Sequence, residues 1–261
     1  MKYVETVINL KLTFLGTGMS QGIPLIGCSC RVCTSPDSRD KRLRTSALVE
    51  HNGTTIAIDA GPDFRQQILR TSVKKLDAIL LTHEHRDHIA GLDDVRAFNY
   101  LQSKPMDIWA ESRVIEAVQN EFAYVFADDR YPGAPEMNLY PIDGSSIKIG
   151  GVEVLPIRLY HGKLPIYGFR FGNLTYITDA NQIPETEWKK IADTEILVIN
   201  ALRMKNHPSH FSLPQAVEII EKINPRQAYL THISHRILHR EAQDWLPSNV
   251  TMAYDGLEVE V

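Results

Sequence analysis

The stretch LDAILLTHEHRDHIAGL, residues 76–92, decides how the rest of the chain is read. Its first half is an apolar run of the length of a buried strand. Directly after it, His83, His85, Asp87 and His88 fall within six residues. A loop leaving the strand can aim His83 and His85 at one ion. Entry into the next helix can then turn Asp87 and His88 toward a second ion, imidazole being the commonest metal ligand near neutral pH. A lone H-x-H carries little information, but four ligands closing a buried strand point to a two-ion centre.

Working outward, the same arrangement recurs. VEVLPIRLY (152–160) is followed by His161, LTYIT (174–178) by Asp179, QAYLT (227–231) by His232, and TTIAI (54–58) by Asp59. Polar residues satisfied within a core would scatter along strand faces. These sit at C-terminal ends, which brings them to one edge of a sheet, where a scaffold presents its chemistry. Further strands are expected at 10–16, 46–51, 106–110, 146–150, 167–172, 195–200 and in the terminal LEVEV. Helices are expected at 63–70, 88–102, 111–126, 184–192, 213–224 and after His235, with Ser212 as an N-cap. The aromatics of 98–140 are expected to shape the pocket.

The three cysteines, Cys28, Cys30 and Cys33, all lie in GCSCRVC. An odd, tightly packed set makes a poor disulfide framework and a natural soft-metal site, which needs a fourth ligand from elsewhere. Otherwise the composition is that of a soluble globular protein. With 28 Lys+Arg against 32 Asp+Glu there is no basic field for a nucleic-acid duplex. No window reaches the length of a membrane span. MKYVETVINLKLTFLG lacks the features of a secretory signal, so a cytoplasmic location is expected. A homodimer is the ordinary prior for such a chain.

The ordered set FLGTG, IDAGP, LLTHEHRDHIAGL, LYHG, YITDA and LTHIS resembles the metallo-β-lactamase superfamily. That resemblance runs from about residue 10 to the C-terminus and implies an αββα sandwich, two mixed β-sheets flanked by helices, with residues 1–261 as a single domain. It implies His83, His85 and His161 on one ion and Asp87, His88 and His232 on another, with Asp179 bridging. Asp59 is expected behind them, fixing loop and ligand orientation. His85 stands where the oxygen-reducing diiron branch has Glu, and Asp179 stands where true β-lactamases tend to carry a thiol. A hard carboxylate beside imidazoles suits Zn, Mn or Fe.

GCSCRVC together with His235 in THISH resembles a narrower branch, the one containing the phosphoribosyl 1,2-cyclic phosphate phosphodiesterase of phosphonate degradation. This implies a structural zinc on Cys28, Cys30, Cys33 and His235. His239, one turn further on, is a rival fourth ligand and is otherwise expected to be a solvated helix residue. The resemblance also implies His210 as the acid that protonates the leaving oxygen, with Asp87 as its catalytic companion at the metals. His207 is the weaker candidate for that acid, Arg86, Arg44 and Arg65 are candidates for contact with a phosphate, and His51 has no clear role.

The expectation is a dinuclear hydrolase in which a metal-bridging hydroxide attacks a small, cyclic, anionic phosphodiester. Two divalent ions offset by Asp87 and Asp179 leave net positive charge, which favours an anionic ester and its more negative transition state. The same scaffold supports lactonase, thioesterase and other esterase activities. A nucleic-acid-processing relative is disfavoured by the acidic balance. A zinc-stabilised binding or carrier module is disfavoured by the complete ligand set.

Overall fold

The computed structural model describes residues 10–261, so most of the N-terminal segment weighed above as a signal lies outside the described residues. In chain order the first sheet receives β1 (Leu10–Gly16), β2 (Ser46–His51), β3 (Thr54–Ile58), β4 (Ala78–Leu80), β5 (Met106–Ala110) and β6 (Met137–Pro141). The second receives β7 (Ile147–Ile149), β8 (Val152–His161), β9 (Leu164–Phe171), β10 (Leu174–Tyr176), β11 (Ile196–Asn200), β12 (Gln227–Thr231) and β13 (Val250–Met252). β14 (Glu258–Glu260) returns to the first sheet beside β1. Both sheets are mixed, ordered β14-β1-β2-β3-β4-β5-β6 and β13-β12-β11-β10-β9-β8-β7.

Alternation along the strands explains the layers. Leu12, Phe14, Val49 and Ile58 of the first sheet meet Val154, Phe169, Tyr176 and Val198 of the second in one buried cluster. The opposite face of the first sheet is covered by α3 (Arg96–Gln102) and α4 (Ser112–Glu121), through Phe98, Val114 and Val118. The opposite face of the second is covered by α7 (Leu213–Ile223), through Leu213, Ala216, Val217 and Ile220. The result is the expected αββα sandwich. Ser212 caps α7 as expected, in a reciprocal box with Gln215.

The departures have local causes. The strand expected over 76–82 pairs only at Ala78–Leu80, because the Thr82 N–H leaves the ladder for the Asp59 carboxylate at 2.8 Å. The helix expected over 88–102 is broken into α2 (Arg86–Ile89), a 3₁₀ turn at Leu92–Val95 and α3. Gly91 sits at the break, and its N–H bonds the Ala60 carbonyl instead of continuing a helix. The helix expected over 111–126 breaks at Phe122, between α4 and α5 (Ala123–Phe126). β6 and β13 escaped the sequence reading: each is short, and their pairing comes from neighbours distant in the chain. Phe98 and Phe122, counted above among pocket aromatics, are buried beneath the first sheet, while Tyr100 and Tyr131 are exposed.

Candidate metal centre

The strand ends converge. β3, β10 and β12 each run out into a non-glycine residue with left-handed backbone, Asp59 (φ 62°), Asp179 (φ 59°) and His232 (φ 54°). Such dihedrals are sparse for side-chain-bearing residues and concentrate where a structure over-determines a functional position. Here they turn the chain sharply at the sheet edge. A threonine precedes three of the edge residues, as Thr82-His83, Thr178-Asp179 and Thr231-His232. Thr82 Oγ1 donates to Asp59 Oδ2 at 2.9 Å, and Thr178 Oγ1 donates to Asp179 Oδ2 at 2.6 Å. That Thr-ligand repeat is visible in the sequence and is a signal that periodicity alone does not use.

His83, His85 and His161 form one convergent group, with ligand atoms within 4.8 Å of one another and ring centroids 4.6, 5.1 and 5.6 Å apart. His83, His88 and Asp179 form a second, fully buried group. The His88 Nε2 lies 3.2 Å from Asp87 Oδ2 and 3.4 Å from Asp179 Oδ2. His232 Nδ1 approaches the same Asp179 oxygen at 3.1 Å. Thus all seven residues expected around two ions crowd one place, with Asp179 central.

The outer contacts orient these rings. Asp59 accepts from His88 Nδ1 at 2.6 Å and from the Thr82 N–H. His161 Nδ1 donates to the Ser209 carbonyl at 2.7 Å, which turns Nε2 toward the centre. Thr45 Oγ1 lies 3.2 Å from His232 Nδ1. His88 Nε2 and His210 Nδ1 are buried without a hydrogen-bond partner. Buried nitrogens left orphaned among imidazoles and carboxylates are what a cation-binding donor set looks like without its cation.

Electrostatics divides the rings. Burial pushes His83 well below the usual histidine range. Burial presses on His88 in the same direction, but Asp179, Asp59 and Asp87 outweigh it and hold His88 well above. Burial would raise Asp87, yet the adjacent His88 brings it down to about 2. Burial, then the charge of His232, lowers His210 to about 2.

His210 joins the group from the loop before α7. Its Nδ1 is 3.9 Å from Asp179 Oδ1, and its ring lies 4.5 Å from His161 and 4.8 Å from His232. His207 packs beside it at 5.1 Å, on the solvent side. Arg86 is paired with Glu121, Arg44 donates to Asp63 at 3.0 Å, and Arg65 is exposed. His51 lies at the opposite ends of the strands. There it helps line a cavity of about 490 Å³ with Leu10, Val152, Phe171 and Val261 that does not touch the cluster.

A separate group gathers Cys28, Cys30, Cys33 and His235. The three Sγ atoms lie 3.4, 3.5 and 3.8 Å from His235 Nδ1. The backbone N–H of Cys33 lowers the Cys30 thiol to about 6, while burial raises Cys33 to about 11. Three sulfurs and one imidazole nitrogen match the donor set of a closed zinc site. His239 corrects the sequence reading. It is neither among the thiols nor solvated: it is buried, its Nδ1 accepts from Arg42 Nη2 at 3.2 Å, and its backbone N–H bonds Asp40.

The β-lactamase superfamily domain family matches residues 54–233. The crystal structure of a diphosphatase from the PhnP family aligns with a TM-score of 0.92 and 38% identity, over 97% of this chain and 98% of that one. A protein named octanoyltransferase from Porphyromonas gingivalis is 40% identical over 253 residues, 95% of this chain and 51% of its own length. Coenzyme PQQ synthesis protein B from Xanthomonas oryzae is 27% identical over 172 residues, 60% of this chain and 54% of its own. The chain therefore spans about half the length of the curated relatives it matches. Zn²⁺-bound PqqB from Methylobacterium extorquens, at 18% identity and a TM-score of 0.77 over 96% of this chain and all of that one, shares the fold. By its matched domain, its sandwich and its likeness to the diphosphatase, this chain belongs to the metallo-β-lactamase superfamily, in the PhnP-like branch.

Proposed function

We propose that this hydrolase is a metal-dependent phosphodiesterase acting on a small, anionic and cyclic phosphodiester. The observation that carries the reading is the convergence on Asp179 of His88 Nε2 and His232 Nδ1, beside the three-histidine group of His83, His85 and His161. His83, His85 and His161 would hold one ion, Asp87, His88 and His232 the other, and Asp179 both. When bound, two divalent ions, Zn, Mn or Fe, supply a water acidic enough to act as nucleophile at neutral pH and positive charge for the phosphoryl oxygens. Cys28, Cys30, Cys33 and His235 would hold a structural zinc, and a reducing cytoplasm suits three free thiols.

The chain's own groups supply the rest. Asp59 fixes the ring of His88, and Ser209 fixes His161. His210 stands neutral in the free site and keeps one N–H. In the reaction, water adds across a P–O bond, its oxygen going to phosphorus. His210 is the group positioned to give a proton to the departing alkoxide, and an approaching anionic ester raises its proton affinity. The diphosphatase likeness supports a phosphorus substrate. The acyl-transfer name of the Porphyromonas gingivalis relative belongs to a chain about twice as long, whose unmatched half is available for that activity.

Metal analysis of the purified chain is expected to give about three equivalents, one resisting mild chelation. Bis-aryl phosphate, a 2′,3′-cyclic nucleotide, an aryl ester and a lactone, assayed side by side, rank the reaction classes. Turnover of the phosphodiesters supports the proposal, and turnover of the ester or lactone alone overturns it.

A further inference from the structure

One guanidinium joins the loop carrying His83 and His85 to the hairpin carrying His161. Glu84 lies between the two loop histidines, and its carboxylate accepts from Arg113 Nη1. The same side chain gives Nη2 to the backbone carbonyl of Pro165 and Nε to Glu111 Oε2, the latter at 3.0 Å. Pro165 faces Tyr160 in the β8–β9 ladder, one pair along from His161 and Leu164. A backbone bond of 3.1 Å, from the Tyr167 N–H to the Thr82 carbonyl, ties the same two segments nearby.

Arg113 is itself held. Glu111 Oε1 accepts from Arg158 Nη2 at 2.7 Å, and Arg158 also donates to the Tyr167 hydroxyl at 2.6 Å. The Arg158 guanidinium lies 3.9 Å over the Tyr167 ring. Charges therefore alternate along Glu84, Arg113, Glu111 and Arg158. The exposures of these side chains, 27%, 28%, 21% and 25%, leave the chain partly shielded from water. Glu84, in the middle of the metal-facing loop, belongs to none of the ligand groups, and its carboxylate is taken by Arg113.

A site assembled from two segments works only if their separation is held to within about half an ångström. His161 is only partly buried, and its ring has the single hydrogen bond to Ser209. The planar fork of arginine can bond a carboxylate and a carbonyl at once in fixed geometry, which the single ammonium of lysine cannot match.

We infer that Arg113 is a positioning residue for the ion held by His83, His85 and His161, acting through Glu84 and the Pro165 carbonyl. This rests on the metal-centre reading above. Arg113 bonds Glu84, Glu111 and the Pro165 carbonyl and stands outside the ligand groups, so its effect falls on ion affinity before it falls on turnover.

The test titrates the metal-free chain with Zn²⁺ against a chromophoric chelator, for wild type, Arg113→Met, Arg113→Lys and Glu84→Gln. In Arg113→Met one ion of the pair is expected to loosen by about 10–100-fold, the range for lost outer contacts to ligands. The ion on the cysteines keeps its affinity, and kcat at saturating Zn²⁺ returns close to wild type. Arg113→Lys recovers part of the affinity. Glu84→Gln, which keeps an oxygen for Nη1, stays near wild type. Wild-type affinity for both ions in Arg113→Met overturns the inference; if that variant does not fold, wild-type affinity in Arg113→Lys does so. A wild-type chain that binds only the cysteine-held ion overturns the metal-centre reading and this inference with it, recognisably, because no pair exists to perturb.

Discussion

His88 Nδ1 donates to Asp59 Oδ2 at 2.6 Å, and both side chains are fully buried. In the neutral ring that a metal requires, this bond selects the tautomer that leaves Nε2 of His88 bare toward Asp87 and Asp179. Asp59 has every reason to stay an acceptor, because its oxygens also take the Thr82 N–H and hydroxyl. Asp59→Asn puts an amide NH₂ against one of these donors whichever way it is turned. Chelator competition is expected to show an ion of the pair bound about 10–100-fold more weakly. Unchanged affinity would mean that Asp59 only closes a strand end.

The IDAGP and AGL segments meet the metal loop at two glycines, and the fit allows no side chain. A Cβ on Gly61 would lie 1.9 Å from the Asp87 carbonyl oxygen, and one on Gly91 would lie 2.0 Å from the Gly61 oxygen. Gly61→Ala must therefore displace the backbone of Asp87. Denaturant melts are expected to register a loss of about 1–3 kcal/mol, the usual cost of overpacking, together with weaker metal binding. Gly151→Ala, whose added carbon meets nothing within 4 Å, serves as the matched control and is expected to leave both measurements unmoved.

The sandwich and the gathering of ligands were legible because both follow from local pattern. Apolar runs mark the strands, and the polar residue closing each run marks its edge, so His83, His161, Asp179 and His232 could be assigned to one rim before any coordinates. What could not be read were relations between segments far apart in sequence. Glu84 is an ordinary acidic loop residue until Arg113 and Pro165 are seen beside it. His239 has the spacing of an exposed helical residue, and only the fold brings the fully buried Arg42 against it. The breaks at Gly91 and Phe122 likewise answer to tertiary contacts that helical periodicity does not encode.

His239 makes acid stability testable. Burial, reinforced by the charge of Arg42, lowers it to about 4, against about 6.5 in an unfolded chain. The unfolded chain takes up a proton below about 6.5 that the folded chain refuses until about 4. Its contribution is thus complete above 6.5 and is lost as pH falls through that window. His239→Gln retains an acceptor for Arg42 without the titration. Between pH 7 and pH 5 its melting temperature is expected to fall less than that of wild type. Parallel declines would show that His239 does not take part in the pH dependence.

His210 is the group whose role kinetics can decide. Its Nδ1 is buried and unpartnered 3.9 Å from Asp179 Oδ1, and its ring stacks on His232. Burial and His232 hold it near 2, so its ring is neutral in the free site and takes up a proton with the anionic substrate before it can give one. If that proton goes to the leaving oxygen, the need for it grows with the basicity of the leaving group. His210→Ala is then expected to lower kcat by about 10²–10⁴-fold for an alkyl leaving group, and by much less for nitrophenolate, which departs without help. The slope of log kcat against leaving-group pKa should steepen accordingly, while the metal content stays at the wild-type value. An equal loss across the series would instead make His210 a hydrogen-bond donor to the phosphoryl oxygens. A loss of metal with no change in slope would make it a packing brace for His161 and His232, the two rings it lies against.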